Sequence, residues 1–375
     1  MTTPWQQARS IAGDVLPLAA VEVPLSAAAG LVLAEDVVAR TDLPPFTASA
    51  MDGWAIRGDP PWAIETTPLL LPGTARATAT GRTLPPGTDA VLRTEDADVD
   101  PAAGVLRQRP GAQPPRAGQD IRSRGTECLA GDVVAQRGMS CVPAVLGLVA
   151  AAGVDTVTVI VRPLVDVLVQ GDELLSEGVP HGRFVRDALG PMLPSWLATL
   201  GAEAATPQRV TDTPEALTDA IISSTADLIV TTGSTASGPK DHLHTVLATL
   251  GADLLADGVD VRPGHPMLLA RLPDGRRLVG LPGNPLAAVS GLLTLVAPAV
   301  LALAGRSPQP RRTVVLGSAV VGHPLDVRLV PVREGMPVHH VGPAMLRGLA
   351  SADALAVVPP GGAEAGTQVE VLPLP

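Results

Sequence analysis

Cysteine is nearly missing from this chain of 375 residues: there are two, Cys128 and Cys141. Their spacing matches no metal-ligand motif, no redox motif and no disulfide framework. Positive charge is also short. Lys and Arg number 27 against 37 Asp and Glu, a formal net charge of −10. That argues against the clustered basic surface on which nucleic-acid binding by counterion release depends. An anionic substrate would then need a site that is locally positive or that holds a metal ion. No internal repeat or low-complexity tract stands out. Met1-Thr2-Thr3-Pro4-Trp5 lacks the basic-then-apolar pattern of a signal peptide, so the expected address is cytoplasmic. Charge is also missing between Arg277 and Arg306, a stretch long enough to span a membrane. Pro282, Pro285, Ser290, Thr294 and Pro298 interrupt it, and the expectation is a buried core helix with no membrane involved.

What is present points to a folded, multidomain protein. Hydrophobic residues make up 46% and charged ones 17%, enough to bury a sizeable core. The length fits two to four units. The 38 glycines and 39 prolines are spread along the chain, which reads as many turns rather than one long linker. Thr3-Pro4 signals a first helix to about Leu16. Residues 66–142 alternate short apolar runs with Pro-Gly turns, a small β-structure. The pattern changes near Pro143. Val165–Val169, Leu228–Thr231 and Leu278–Leu281 read as strands, and Asp187–Leu200, Thr213–Ser223, Asp241–Leu250 and Leu286–Leu303 as helices. Such alternation implies a parallel-rich sheet with helices on both faces. Short strands return after Arg306. The expected fold is a multidomain α/β protein. Its central three-layer α/β domain, 163–306, is flanked by small β-rich N-terminal domains and a C-terminal β-barrel-like domain, 307–375. The N-terminal units are 1–42 with 143–162, and 43–142 with a substrate-cleft loop.

Four tight loops carry the chemistry. Gly171-Asp172-Glu173, Thr231-Thr232-Gly233-Ser234 and Leu281-Pro282-Gly283-Asn284-Pro285 each follow a β-branched or apolar run. They therefore gather at the carboxyl edge of the sheet, where open α/β folds bind ligands. The two adjacent carboxylates suit Mg²⁺ shared with a phosphate, since that ion prefers oxygen ligands; the alternative is that Asp172 or Glu173 only caps a turn. Thr232, Gly233 and Ser234 offer hydroxyls and N–H groups for an oxyanion, and Asp241, beside Lys240, opens the next helix. The Pro282–Pro285 loop delivers a helix N-terminus, an anion site. Arg262 and His265 supply two potentially cationic side chains in a second Pro-Gly turn. The fourth loop, Ser49-Ala50-Met51-Asp52-Gly53-Trp54, lies outside the α/β unit. From the residues alone, Asp52 there is an acid that steadies the Gly53 turn.

Leu43-Pro44-Pro45-Phe46 running into Ser49–Ala55, Thr80-Gly81 with Pro86–Val91, Asp120–Gly125, Gly171–Leu174 and Leu281–Pro285 occur in this order. With Ala352–Leu355 near the end, they resemble the molybdopterin molybdenumtransferase family (MoeA and the E domain of gephyrin) over nearly the whole chain. The resemblance implies an elongated homodimer whose site joins the α/β domain of one subunit to the N-terminal region of the other, so that Asp52 acts in trans. It also implies a reaction: adenylylated molybdopterin and molybdate react with Mg²⁺ present, AMP leaves, and molybdenum stays on the dithiolene. By the same resemblance Asp52, Glu173 and Asp241 are catalytic, with Glu173 and Asp241 the metal positions. Thr80 and Arg122 join the substrate cleft, and Gly171, Asp172, Thr232, Gly233, Ser234, Arg262, His265, Pro282, Gly283, Asn284 and Pro285 hold the substrate. Implied partners are a molybdopterin adenylyltransferase and molybdoenzymes or their chaperones.

Departures from the family pattern cluster where pterin or oxyanion would be held. Arg262 and His265 stand for two lysines, and Arg186-Asp187-Ala188 for an Asp-Ser/Thr-Asn segment. Ser234 stands for a second glycine, Ala287 for a serine, and Pro343 and Gly348 for further serines. Three readings follow: an insertase with a remodelled anion site, a non-catalytic pterin- or partner-binding homologue, and an adenylyltransferase-like nucleotide enzyme.

Overall fold

The computed structural model describes residues 2–235, 242–307 and 310–374. Its centre is a mixed sheet. Glu203–Ala204 and Gln208–Val210 pair along Leu164–Gln170, which is followed by Leu228–Thr232, Arg277–Leu281, Leu268–Arg271 and Asp253–Asp257. The first five strands run parallel, Leu268–Arg271 runs against them, and Asp253–Asp257 pairs antiparallel to Leu268–Arg271. These last two strands were not foreseen, because short apolar runs between turns carry no periodicity of their own.

Helices cover both faces. Val165, Val167, Val169, Leu228, Val230 and Leu281 point to one side, against Leu189–Leu200 and the long Pro285–Leu303 helix. Leu168, Ile229 and Leu278 point to the other, against Pro214–Ser223 and Leu243–Thr249. Pro214–Ser223 is capped as the sequence indicates: the Thr213 hydroxyl accepts from Ala216 N–H at 3.2 Å. The long helix has the length and hydropathy of a membrane span, but 83% of that span is buried inside the protein. Its middle turn, Leu292–Val296, is a π-helix.

The first helix is shorter than expected, Trp5–Gly13. Trp5, Ala8 and Ala12 form its apolar stripe, and they pack into the central core rather than with residues 20–42. The remainder of the N-terminal region pairs across a long sequence gap, Ala20–Pro24 lying antiparallel to Thr156–Ile160. Residues 53–108 build a six-stranded sheet. After the long helix comes a second six-stranded sheet, on which Val261–Arg262 lies parallel to Val327–Arg333. That pairing ties the Arg262 turn to the C-terminal region.

Candidate functional site

Leu164–Gln170, Leu228–Thr232 and Arg277–Leu281 are adjacent and parallel, so the loops that follow them emerge side by side at one edge. Gly233 N–H donates to Leu281 O at 2.9 Å. A Cβ on Gly283 would lie 3.8 Å from Gly233 Cα, and one on Gly233 would lie 3.5 Å from Gln170 O. Three of the four loops singled out in the sequence therefore form one continuous surface, with Asp172, Glu173, Gly283 and Asn284 exposed on it.

The two carboxylates of the first loop divide their work. Asp172 N–H donates to Asp212 Oδ2 at 3.0 Å, and Asp212 N–H donates back to Asp172 Oδ1 at 3.4 Å. Asp172 thus helps to hold the turn, and Glu173 is exposed beside it on the same loop. Gly171 sits at φ 131°, in a region glycine favours. A Cβ there would lie 3.0 Å from the Leu174 side chain and 3.2 Å from Glu173 Oε1. Arg209 closes the loop from behind, donating to Leu174 O at 2.6 Å and Gly171 O at 3.0 Å. Neither Arg209 nor Asp212 was foreseen. Each acts through a partner at least 35 residues away, which leaves no local signature.

Four expectations need correction. The N-terminus of the Pro285–Gly291 segment is not an open anion site: Leu286 and Ala287 N–H both donate to Pro343 O, at 2.9 and 3.2 Å. Gly233 N–H is equally taken, by Leu281 O. Arg262 is not a free cation, for its Nε donates to Asp326 Oδ2 at 2.8 Å, and Asp326 is buried. A buried carboxylate needs such a partner. His265 Nδ1 lies 2.8 Å from Val259 O. A carbonyl can only accept, so this nitrogen carries the proton and Nε2 alone remains. The Arg262–Pro266 turn does flank the site, since a Cβ on Gly264 would lie 3.0 Å from Ala287 O. Ser234 takes φ 55°, the backbone that the family's glycine would suit. Lys240 and Asp241 lie outside the described residues.

A second cluster forms in the N-terminal region. Ile121–Arg122 pairs with Ala48–Ser49, Ala50 N–H donates to Asp120 O at 2.8 Å, and Gly81 N–H donates to Ser49 O at 2.8 Å. Asp52 Oδ1 accepts from Thr80 N–H at 2.7 Å and from its hydroxyl at 2.9 Å. These two bonds hold the Asp52 carboxyl below the usual carboxylate range. Asp52 and Thr80 thereby form one exposed pair, and Arg122, also exposed, lies on the strand paired with Ala48–Ser49. Among the described residues, no hydrogen bond or ion pair joins this group to the Gly171, Gly233 or Gly283 loops.

This arrangement defines a class: a multidomain α/β protein with three loops gathered at one edge of its central sheet and a hydrogen-bonded Asp52–Thr80 pair in its N-terminal region. Family models place it. Residues 3–153 match the MoeA N-terminal region (domain I and II), residues 166–302 a probable molybdopterin binding domain, and residues 298–374 the MoeA C-terminal region (domain IV). The chain is 32% identical over 389 residues to molybdopterin molybdenumtransferase 2 of Mycobacterium tuberculosis, covering 94% of each. It is 32% identical to the molybdopterin molybdenumtransferase of Synechococcus elongatus, covering 72% of each. A crystal structure of the molybdopterin biosynthesis MoeA protein from Pyrococcus horikoshii shares the fold, with a TM-score of 0.81 at 24% identity over 99% of this chain and 98% of that one. The chain belongs to the MoeA family.

Proposed function

We propose that the protein is a molybdopterin molybdenumtransferase of molybdenum cofactor biosynthesis. It takes adenylylated molybdopterin and molybdate, requires Mg²⁺, and releases AMP. The observation that carries this reading is the convergence of the Gly171, Gly233 and Gly283 loops on one sheet edge, with Glu173 as the acid left for a ligand. The donor chemistry fits Mg²⁺ of a particular kind. Among the described residues no cluster of three or more His, Cys, Asp or Glu forms a metal cage. Mg²⁺ is commonly held by one or two carboxylates plus substrate phosphates, keeping several waters. Glu173, and Asp241 by resemblance, would supply that part. When bound, the ion neutralises phosphate charge and eases departure of the nucleotide.

The chain's own groups do the rest. Arg209 and Asp212 hold the Gly171–Leu174 turn, so Glu173 keeps its place without reorganising. The Gly233 and Gly283 contact surface, bare of side chains, lets a substrate lie close to backbone. Asp52, its oxygen fixed by Thr80, joins from the second subunit of a homodimer, which fits its separation from the central loops. A molybdopterin adenylyltransferase would supply the substrate and molybdoenzymes or their chaperones would take the product, at a cytoplasmic address.

One set of observations favours a second reading, a non-catalytic pterin binder: Pro343 O, Asp326 and Val259 O already engage the Leu286 and Ala287 N–H groups, Arg262 Nε and His265 Nδ1, which were among the donors expected to hold an oxyanion. A single-turnover assay with adenylylated molybdopterin, molybdate and Mg²⁺ decides. The expected result is AMP release in step with pterin-bound molybdenum, and loss of both on Mg²⁺ chelation. Dimerisation and pterin binding with neither signal would establish the second reading.

A further inference from the structure

Among the described residues, six buried side-chain atoms lack a hydrogen-bond partner, and three of them sit together at the candidate site: both amide atoms of Gln170 and the hydroxyl of Thr231. Gln170 is 4% exposed and Thr231 0%. Thr231 is opposite Leu168 in the parallel register, and Gln170 lies two residues beyond Leu168. Side chains alternate along a strand, so Gln170 and Thr231 share one face of the sheet. Arg277 and Arg306, also in the set, each place another nitrogen on a carbonyl, of Asp14 and Gly30. Gln170 uses none of its side-chain capacity, although an amide offers two donors and an acceptor. It is the last residue before the Gly171 turn, and a Cβ on Gly233 would lie 3.9 Å from its own Cβ. A buried amide with no partner lowers stability; an apolar side chain of similar size would pack there without that cost.

We propose that Gln170, with Thr231 beside it, is a specificity-determining residue of this site. Its carboxamide pairs with a heterocycle edge that sets a donor next to an acceptor, such as the lactam edge of a pterin or the amidine edge of adenine. The covered amide reaches that edge by rotation about its own three side-chain torsions, since the exposed surface begins at Asp172 and Glu173. A site built to pair with such an edge discriminates sharply against rings without it, because its own polar groups are then left unpaired. The inference rests on the molybdenumtransferase reading and adds to it a residue and the part of the substrate that residue recognises.

The test uses the full chain as wild type, Gln170→Leu and Thr231→Val. Calorimetric titrations with adenylylated molybdopterin, molybdopterin and AMP are run beside thermal denaturation. Gln170→Leu is expected to melt at or above the wild-type temperature yet bind adenylylated molybdopterin at least tenfold more weakly, with a smaller loss for Thr231→Val. Whichever of molybdopterin and AMP loses affinity by the same factor carries the edge that Gln170 reads. Unchanged affinity in both variants overturns the proposal. So does a loss of affinity that accompanies a lowered melting temperature, which would make the amide a structural group. Should Gln170→Leu fail to fold, Thr231→Val gives the same readout in a residue of nearly equal volume. A wild-type protein that binds none of the three ligands refutes the molybdenumtransferase reading itself, and the proposal with it.

Discussion

Asp52 shows how two hydrogen bonds can fix a single exposed acid. Both bonds from Thr80 stabilise its charged form, so its pKa is depressed. A depressed carboxylate adds stability above its ordinary pKa, and that contribution is lost as pH falls through the lower folded value. Asp42 and Asp120 are depressed too, Asp42 first by the Ala130 N–H and then by Arg124, Asp120 by Arg93. The N-terminal region should therefore hold its stability until the pH drops below the ordinary carboxylate range, about 4. Thr80→Ala removes the hydroxyl and leaves the N–H. Its expected effect is an upward shift of the Asp52 midpoint in a carboxyl-resolved NMR titration, and an acid limb of the activity profile that moves up with it; a fixed midpoint would mean the hydroxyl bond is not made in solution. Gly171 offers a second test at this scale. Gly171→Ala puts a methyl against Leu174 and Glu173 Oε1 at a φ of 131°, a strain of roughly 1–3 kcal/mol. We expect AMP release to fall more than the melting temperature explains, because the displaced group is the acid proposed to face the ligand. Wild-type turnover with reduced stability would show that Glu173 does not act from this position.

The long helix owes its position to polar contacts as well as to its apolar surface. Its π-helical turn meets the first helix: Trp5 Nε1 donates to Thr294 Oγ1 at 3.0 Å, and Arg9 reaches Leu293 O. Such widened turns are uncommon and often mark functional places; here the turn anchors the Trp5–Gly13 helix to the core. Trp5→Phe loses the bond and part of the buried ring, and Thr294→Val leaves the indole N–H buried and unpaired; each should cost about 1–3 kcal/mol. Denaturant unfolding of the two single variants and the double variant checks this, since coupled residues give a double-variant loss smaller than the sum. Additive losses would mean that the bond contributes nothing.

For the whole molecule, the separation of the Asp52 cluster from the central loops makes the subunit arrangement testable. Asp52→Asn and Glu173→Gln are each expected to be inactive alone. If a site draws Asp52 from one subunit and Glu173 from the other, one site of each mixed dimer is intact. A 1:1 mixture after subunit exchange should then recover about a quarter of wild-type activity. No recovery, with exchange shown by a tagged subunit, would place both acids in the same chain's site or deny them a role.

Much of the candidate site's loop arrangement was legible in the sequence, because its signals are local. β-branched runs ending in Gly, Pro and Asp fix strand ends and turns through backbone preferences a few residues long, and three such turns proved to be neighbours. The ordered motifs from Leu43 to Ala352 fixed the family in the same way. What the sequence could not decide was which polar groups are free. Asp172 is taken by Asp212, Leu286 and Ala287 by Pro343, and Arg262 by Asp326. Those partners lie 40 or more residues away along the chain. Hydrogen-bond competition is settled in space, between groups that only the tertiary fold brings within about 3 Å, so the fold alone decided that Asp172 pairs with Asp212 and Arg262 with Asp326.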